Sequence, residues 1–353
     1  MKTVSQLYRY LETNTDDFLG SHNVFTPRAL VDSMVSHVDV DKTFLVLFNI
    51  EIAISLVYSY NVDASRITIY ADHANKVKWA QRMGIKYTMS LDNIPEKAFD
   101  YVLLNPPFDY IRHFRAIAER LAKEKVILVS DINNMDYDGS FDNIEYFKIL
   151  GGNVFKAQME TCYSVIDPNG SQKSTTVVDQ QGKSITATAV PFLPGKDLDS
   201  WNKAVAVFNL KLPGYDIVWG KLEKNKIRKA AAGVDIITFN GKKNQPFDHV
   251  TGDIGHLADL GNYGVHKVIM AKNSTIGKLG PVKYAGPTFG CSHNIVSIAF
   301  GSEQAARDAV DYLNSDEVAK LIKGIKTKSI VNSQSILSKV PQLQYKAQWT
   351  PLV

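Results

Sequence analysis

Residues 105–108 read Asn-Pro-Pro-Phe and directly follow residues 99–104, an apolar stretch with the composition of a buried strand. Because proline has no N–H to donate to a sheet ladder, the strand must end at Leu104. The two prolines then fix a rigid turn, with the polar amide of Asn105 at its start and the ring of Phe108 at its end. This combination indicates a turn that holds a ligand at the end of a strand.

The elements that position this turn alternate between helix and strand over the first 165 residues. Apolar residues three and four positions apart predict a helix over 26–38, with Pro27 in its first turn. Short apolar stretches, most of them followed by a helical pattern, predict an α/β fold with a doubly wound, mostly parallel sheet. In such a sheet ligands bind beyond the carboxyl ends of the strands, where both the 105–108 turn and Asp72 fall.

The Asn105-Pro106-Pro107-Phe108 turn resembles motif IV of the amino-methyltransferases, in which Asn, Asp or Ser precedes two prolines and an aromatic residue. These enzymes methylate the exocyclic amino group of adenine, or less often of cytosine. The resemblance implies that Asn105 and the Pro106 carbonyl accept hydrogen bonds from this amino group, and that Phe108 stacks on a flipped base. It also implies a Rossmann-like methyltransferase fold and a mechanism based on positioning and electrostatics.

A second segment, residues 23–35, is similar to motif X of the gamma-type adenine methyltransferases. In that family an aromatic-Thr-Pro sequence opens a helix and lies against the methionine part of S-adenosylmethionine, which implies this role for Phe25, Thr26 and Pro27. The resemblance covers about residues 20–165 and implies two further contacts with this cofactor. Asp72 would bind the ribose hydroxyls, and Asp92 would bind the adenine amino group.

Motif I departs from the family's pattern. The family has an acidic residue and two glycines where this chain has Val46, Ile50 and Ile52. Isoleucine side chains at the glycine positions are expected to fill space that the cofactor needs. Asn49 and Glu51 are the polar residues of this stretch and are the candidates for holding a ligand there.

The chain keeps the Asn105-Pro106-Pro107-Phe108 turn but lacks the glycines of motif I, and three functions from different classes are compatible with this combination. The favoured one is a divergent DNA adenine-N6 methyltransferase that still uses S-adenosylmethionine. The second is a pseudo-methyltransferase, a DNA-binding protein or subunit whose donor site is lost. The third is a DNA base-modifying transferase that uses another donor, such as a nucleotide-activated group. A role in host restriction-modification, phage modification or counter-defence stays open.

Basic residues cluster in the C-terminal half, and such clusters among Gly and Asn suit contacts with phosphate, so DNA is the expected partner. The DNA-binding candidates are Lys221, Lys224, Lys226, Arg228, Lys229, Lys242 and Lys243, and a later cluster contains Lys320, Lys323, Lys326 and Lys328. A helix over 302–325 is predicted to begin at a Ser302 cap. We expect a methyltransferase-like domain over 1–165, a protruding hairpin or linker over 166–200, and an α+β target-recognition region over 201–353.

Residues 134–145 have the spacing of a calcium-binding loop. Asn134, Asp136, Asp138 and Glu145 fall at ligand positions. However, Asn replaces the usual first Asp, and a strand pattern rather than a helix precedes the loop. A solvated acidic loop is the favoured interpretation, so no metal is expected.

Composition narrows the class of protein further. The chain has 353 residues, of which 45% are hydrophobic and 22% charged, and a formal net charge of +4, which is typical of a globular protein. Its longest apolar run is too short to span a bilayer. Cys162 and Cys291 lie far apart, which predicts neither a zinc site nor a disulfide framework. With a polar N-terminus that lacks a signal-peptide pattern, this predicts a cytoplasmic protein.

Overall fold

Two units make up the chain, residues 1–190 and residues 191–353. The first unit therefore extends beyond residue 165, where the sequence placed the end of the first domain. The computed structural model describes residues 25–132, 143–151, 154–155, 161–170, 174–188, 197–240, 245–274, 279–325, 331–332 and 336–353, together with residues 6, 9, 10 and 13.

A nine-stranded sheet with the order β3-β2-β1-β4-β5-β7-β6-β8-β9 forms the first unit. Strands β1 to β5 run parallel to one another, whereas β7 is antiparallel to both β5 and β6. This is the strand order of the Rossmann-like methyltransferase fold, so the predicted α/β class is confirmed. The strands are β1 Phe44–Leu47, β2 Ile67–Tyr70, β3 Lys86–Thr88, β4 Phe99–Leu104, β5 Ala122–Asp131, β6 Ile144–Gly151, β7 Thr161–Ile166, β8 Ser174–Val178 and β9 Ser184–Thr188.

The helices of this unit cover the sheet through their apolar faces. They are α1 Arg28–Val35, α2 Ile50–Tyr58, α3 Ala74–Met83 and α4 Ile111–Leu121. Apolar side chains of α1 and α2, among them Val31 and Ile54, share one core with Val46 of β1. Helix α3 ends at Gly84, whose left-handed φ of 67° suits a glycine C-cap and agrees with the sequence.

The 166–200 region contains the predicted hairpin. Strands β8 and β9 pair antiparallel, and β8 also pairs parallel with β6. Gly182, with a φ of 86°, lies in the connection between them. The hairpin is thus the edge of the large sheet and belongs to the first unit.

The second unit combines small sheets with helices. Its four-stranded sheet has the order β10-β17-β13-β15, its three-stranded sheet the order β12-β11-β16, and β14 pairs with β18. Ile237, Phe247, Ile269 and Ile295 form a core that joins the two larger sheets. The elements are β10 Val218–Trp219, β11 Lys229–Phe239, β12 Phe247–Gly252, β13 His266–Ala271, β14 Asn273–Ser274, β15 Lys283–Ala285, β16 Phe289–Cys291, β17 Ile295–Phe300, β18 Val331–Asn332, α5 Leu198–Asn209, α6 Glu303–Leu313 and α7 Asp316–Ile325.

The single helix predicted over 302–325 is wrong. Two helices, α6 and α7, occupy this stretch, and they are separated at Asn314 and Ser315. The Ser302 side chain accepts a hydrogen bond of 3.2 Å from the Ala305 N–H, so the predicted start of the first helix is confirmed. Ser315 then begins a second helix, because its hydroxyl accepts from the Val318 N–H.

Candidate functional site

The carboxyl ends of β1, β2 and β4 lie side by side, because Leu47 is in register with both Tyr70 and Leu104. The segments that follow these strands begin with Phe48, Ala71 and Asn105. The strand order reverses between β1 and β4, since β2 and β3 lie on one side of β1 and β4 and β5 on the other, which makes this the topological switch point, where folds of this kind bind ligands. We call the space outside the ends of β1, β2 and β4 the switch-point crevice.

Four predicted site residues from three segments meet beside the crevice in a buried polar network. Glu51 Oε1 accepts hydrogen bonds from the Thr26 N–H (2.8 Å) and from Asn49 Nδ2 (2.9 Å). Asn49 Oδ1 accepts from the Asn105 N–H (3.2 Å), and Asn105 Nδ2 donates to Thr26 Oγ1 (3.0 Å). All four residues are buried. The network joins the segment before α1, the segment after β1 and the Asn105-Pro106-Pro107-Phe108 turn, which we call the elbow, into one interior structure.

Burial decides what this network can do. Desolvation raises the pKa of Glu51, although hydrogen bonds from the Thr26 backbone and from Asn49 act in the opposite direction. The Asn105 side chain is 0% exposed. A base amino group would therefore reach Asn105 only after the elbow had moved.

The remaining elbow residues lie closer to the surface. Pro106 is buried, whereas Pro107 and Phe108 are half-buried. The Phe108 ring lies edge-on to Phe155, with 6.5 Å between the ring centroids. The sequence analysis did not single out Phe155, which follows β6; its only sequence signal is an aromatic residue between two strands.

Phe48 spans the switch-point crevice. Its backbone φ is 73°, a left-handed conformation that is uncommon for a bulky residue. The ring contacts Tyr70 at the end of β2 (5.4 Å between centroids) and Phe114 of α4 (4.5 Å), both edge-on. Phe48 is 4% exposed, so its ring is enclosed by these neighbours.

Lys76 lies against the same ring and was not predicted. It is 0% exposed although it stands in the first turn of α3, where a lysine usually faces solvent. Its ammonium donates a hydrogen bond to Asp72 Oδ1. The Nζ atom also lies 5.9 Å from the centroid of the Phe48 ring, within the range of a cation–π interaction.

S-adenosylmethionine, which the resemblance implies, does not fit the residues present. Asp72, the candidate for binding the ribose, is bonded to Lys76, and Phe48 closes the crevice against Phe114. Ile50 and Ile52, which stand where the family has glycines, are members of the hydrophobic core.

Other predicted cofactor residues are placed as follows. Phe25 packs against the core, and Pro27 precedes α1 as its N-cap residue. Asp92 is exposed in the segment between β3 and β4. Burial, followed by the nearby Asp72 and Asp92 carboxylates, raises the pKa of Tyr70, which places both acids near the end of β2.

The basic cluster of residues 221–229 is exposed but partly paired with acids. Ion pairs join Lys224 to Asp248 (3.5 Å), Lys226 to Glu223 (3.2 Å) and Arg228 to Asp253 (4.0 Å). Among the described residues, no carboxylate lies within ion-pair distance of Lys221 or Lys229. The other predicted basic residues Lys242, Lys243, Lys326 and Lys328 lie outside the described residues.

The two units carry opposite formal charge. Residues 191–353 contain 21 Lys and Arg against 13 Asp and Glu, a charge of +8. Residues 1–190 contain 19 against 23, a charge of −4. The basic character of the chain therefore resides in the second unit, as is typical of a region that contacts a polyanion.

The calcium-loop residues Asn134, Asp136 and Asp138 lie outside the described residues. Glu145 is on β6 and forms an ion pair of 2.9 Å with Lys125 of β5. In the described part of the chain, no group of three or more His, Cys, Asp or Glu side chains is placed to hold a metal ion. Cys162 and Cys291 are both buried free thiols.

Comparisons with solved structures return methyltransferases. The methyltransferase subunit of a type I restriction-modification system from Streptococcus thermophilus shares 12% identity at a TM-score of 0.40, over 51% of this chain and 54% of that chain. A chain from a structure of a type I restriction-modification system shares 13% identity at a TM-score of 0.39, over 50% and 49%. A dimethyladenosine transferase from Plasmodium falciparum shares 8% identity at a TM-score of 0.31, over 41% and 63%.

These likenesses are too weak to assign a family or an activity, and the matched region spans about half of each of the first two chains. No protein-family model matches this chain, and no curated protein matches it. The fold assignment rests on the strand order and pairing of the sheet. No helix in the described ranges is both long enough and apolar enough to cross a membrane.

Proposed function

We propose that this protein is a DNA-binding relative of the DNA methyltransferases that does not carry S-adenosylmethionine. The observation that supports this most directly is the crevice at the switch point. Phe48 spans it, and Lys76 holds Asp72, the carboxylate that would meet the ribose. A sheet of methyltransferase order thus carries side chains of its own where a donor would bind.

Charge supports DNA as the partner. The second unit has a formal charge of +8, and its exposed basic residues include Lys221 and Lys229, which no described carboxylate neutralises. Phosphate contacts of this kind bind DNA of any sequence and weaken steeply with salt. On the first unit, the half-buried ring of Phe108 is the group of the elbow available for stacking on a base.

A second candidate is the divergent DNA adenine-N6 methyltransferase. The observation that favours it is the elbow itself, because Asn105-Pro106-Pro107-Phe108 leaves β4 at the switch point and Asn105 contacts Thr26 of motif X. This activity would require Phe48 and Lys76 to leave the crevice and the Asn105 amide to turn towards a base. Transfer of a labelled methyl group to unmodified DNA distinguishes this candidate from the first.

The proposed function is tested by fluorescence anisotropy of a labelled mixed-sequence duplex, titrated with the full chain at several salt concentrations. We expect the logarithm of the association constant to fall linearly with the logarithm of salt between about 50 and 200 mM. The affinity should be the same with and without S-adenosylmethionine. Binding that is absent at the lowest salt, or indifferent to salt, would refute a DNA-binding role.

A further inference from the structure

We infer that Phe48 and Lys76 form an intramolecular plug, a pair of side chains that takes the place of a ligand in the switch-point crevice. This inference explains how the site of the proposed function is closed. It rests on the proposed function for one expectation, which is that the wild-type protein does not bind S-adenosylmethionine. It is carried by contacts within the first unit alone. The DNA-binding residues of the second unit play no part in it.

The position of the Phe48 ring is the first argument. Phe48 is the residue that immediately follows β1, and its ring touches Tyr70 on the β2 side and Phe114 on the α4 side. The ring therefore joins the end of β2 to the helix that follows β4, across the end of β1. It does so from a left-handed backbone conformation with a φ of 73°. Glycine adopts this conformation without the steric cost that a Cβ brings.

The position of Lys76 is the second argument. A fully buried ammonium is costly unless it is paired. Here Asp72 Oδ1 accepts a hydrogen bond from the Lys76 ammonium, and the centroid of the Phe48 ring lies 5.9 Å from Nζ. Lys76 thus places a buried positive charge beside the carboxylate of Asp72, whose side chain remains 25% exposed. The Phe48 ring closes the apolar part of the crevice. The Lys76 ammonium donates a hydrogen bond to Asp72 at its polar end.

The two halves of the plug depend on each other. The buried Lys76 ammonium lies 5.9 Å from the centroid of the Phe48 ring, and the Lys76–Asp72 pair joins the start of α3 to the end of β2 beside that ring. Removing both should leave a crevice with an open carboxylate and a flexible residue after β1. That arrangement suits a nucleoside with a free ribose diol, for which S-adenosylhomocysteine is a stable probe.

The first test uses the wild-type protein and amine acetylation followed by mass spectrometry. Lys78, on the same helix and exposed, is the matched control for Lys76. The plug predicts that Lys76 is acetylated at least about tenfold more slowly than Lys78, since reaction requires a local opening. Equal rates for the two lysines would overturn the plug whatever the behaviour of any variant.

The second test is calorimetric titration of S-adenosylhomocysteine into wild type, Phe48→Gly, Lys76→Met, the double variant and Lys78→Met. The glycine relieves the left-handed backbone at position 48, which favours a folded variant, and circular dichroism checks this. We expect micromolar binding by the double variant and none by wild type or Lys78→Met. A folded double variant without binding, or wild type that binds as tightly as the double variant, would overturn the plug.

These results are distinguishable from failure of the proposed function, because DNA affinity is measured separately by anisotropy. If wild type fails to bind DNA while Lys76 is protected and the double variant gains S-adenosylhomocysteine binding, the proposed function fails and the plug stands. If DNA binds with the expected salt dependence while Lys76 and Lys78 react at equal rates, the plug fails and DNA binding stands.

Discussion

The side-chain amide of Asn105 donates a hydrogen bond of 3.0 Å to the hydroxyl of Thr26, which lies 79 residues earlier in the chain. Both side chains are buried, and both also belong to the network around Glu51. Residues that the resemblance assigns to base binding and to cofactor binding are therefore joined to each other. In this structure their polar groups bond to each other in the interior of the protein. These bonds hold the elbow against the starts of α1 and α2.

Thr26→Val removes the acceptor of this bond with little change of volume. Because the site is buried, we expect the free energy of unfolding to fall by about 1–3 kcal/mol. Thr26→Ser, which keeps the hydroxyl, is the matched control and should lose less. Urea unfolding of the three proteins measures the difference, and equal losses for the valine and serine variants would contradict the role of the bond.

Glu51→Gln should show a pH-dependent gain in stability relative to wild type. Burial raises the pKa of Glu51 in the folded protein above the value of about 4.3 in an unfolded chain. Wild type therefore has the associated stability in full below that value and loses it as the pH rises through the folded pKa. Glutamine stays neutral, so the variant should gain on wild type over the range of pH above the unfolded value of about 4.3.

Thermal unfolding at several pH values measures this gain. Glu96→Gln, which removes an exposed carboxylate from the same unit, is the control. If wild type and Glu51→Gln change in parallel across this range, the carboxyl is not held in a desolvated site.

The sequence was sufficient to predict the framework of the first unit. Strand β4 spans Phe99–Leu104 as predicted, because apolar residues precede a proline pair that ends any ladder. The Gly84 cap and the Ser302 cap were also predictable, since each depends on one residue type at a helix end. Such features are local, and local features can be read from the sequence.

The positions of Phe48 and Lys76 at the crevice could not be predicted from the sequence. Phe48 in a left-handed conformation has no sequence signature, and Lys76 in a helical pattern predicts an exposed residue. Their burial depends on Tyr70 and Phe114, which become neighbours only when the sheet is assembled. The break between α6 and α7 could not be predicted from helical periodicity, because both helices have it. The second helix begins at Ser315, whose hydroxyl caps it by accepting a hydrogen bond from the Val318 N–H.

Asp197 stabilises the start of α5 in two ways. Its carboxylate pairs with Lys323 of α7 and accepts a hydrogen bond from the Ser200 N–H (3.1 Å), and these contacts lower its pKa to about 2. We expect Asp197→Ala to cost about 1 kcal/mol at neutral pH. Asp197→Asn keeps a capping oxygen but loses the charge, so it should cost less.

The advantage of wild type over Asp197→Ala is present above the unfolded pKa of about 3.9 and lost as the pH falls through about 2. Chemical unfolding from neutral to acidic pH measures this convergence. An Asp197→Ala deficit that is unchanged at the lowest pH would contradict the contribution of the ionised carboxylate.

Lys221 and Lys229 should contribute more to DNA binding than their paired neighbours. Replacing both by Gln removes two phosphate contacts, so the slope of log affinity against log salt should fall by about 2. Lys224→Gln with Lys226→Gln is the matched control, because Asp248 and Glu223 already neutralise these two lysines. An equal loss of slope in the two double variants would show that the ion pairs do not decide which lysines bind phosphate.

The most direct test of the account is calorimetric titration of the wild-type protein with S-adenosylmethionine, alone and in the presence of DNA. If Phe48 and Lys76 form the plug, we expect no heat of binding in either condition. Micromolar binding by the wild-type protein would contradict the account. The divergent adenine methyltransferase would then be the better description of this chain.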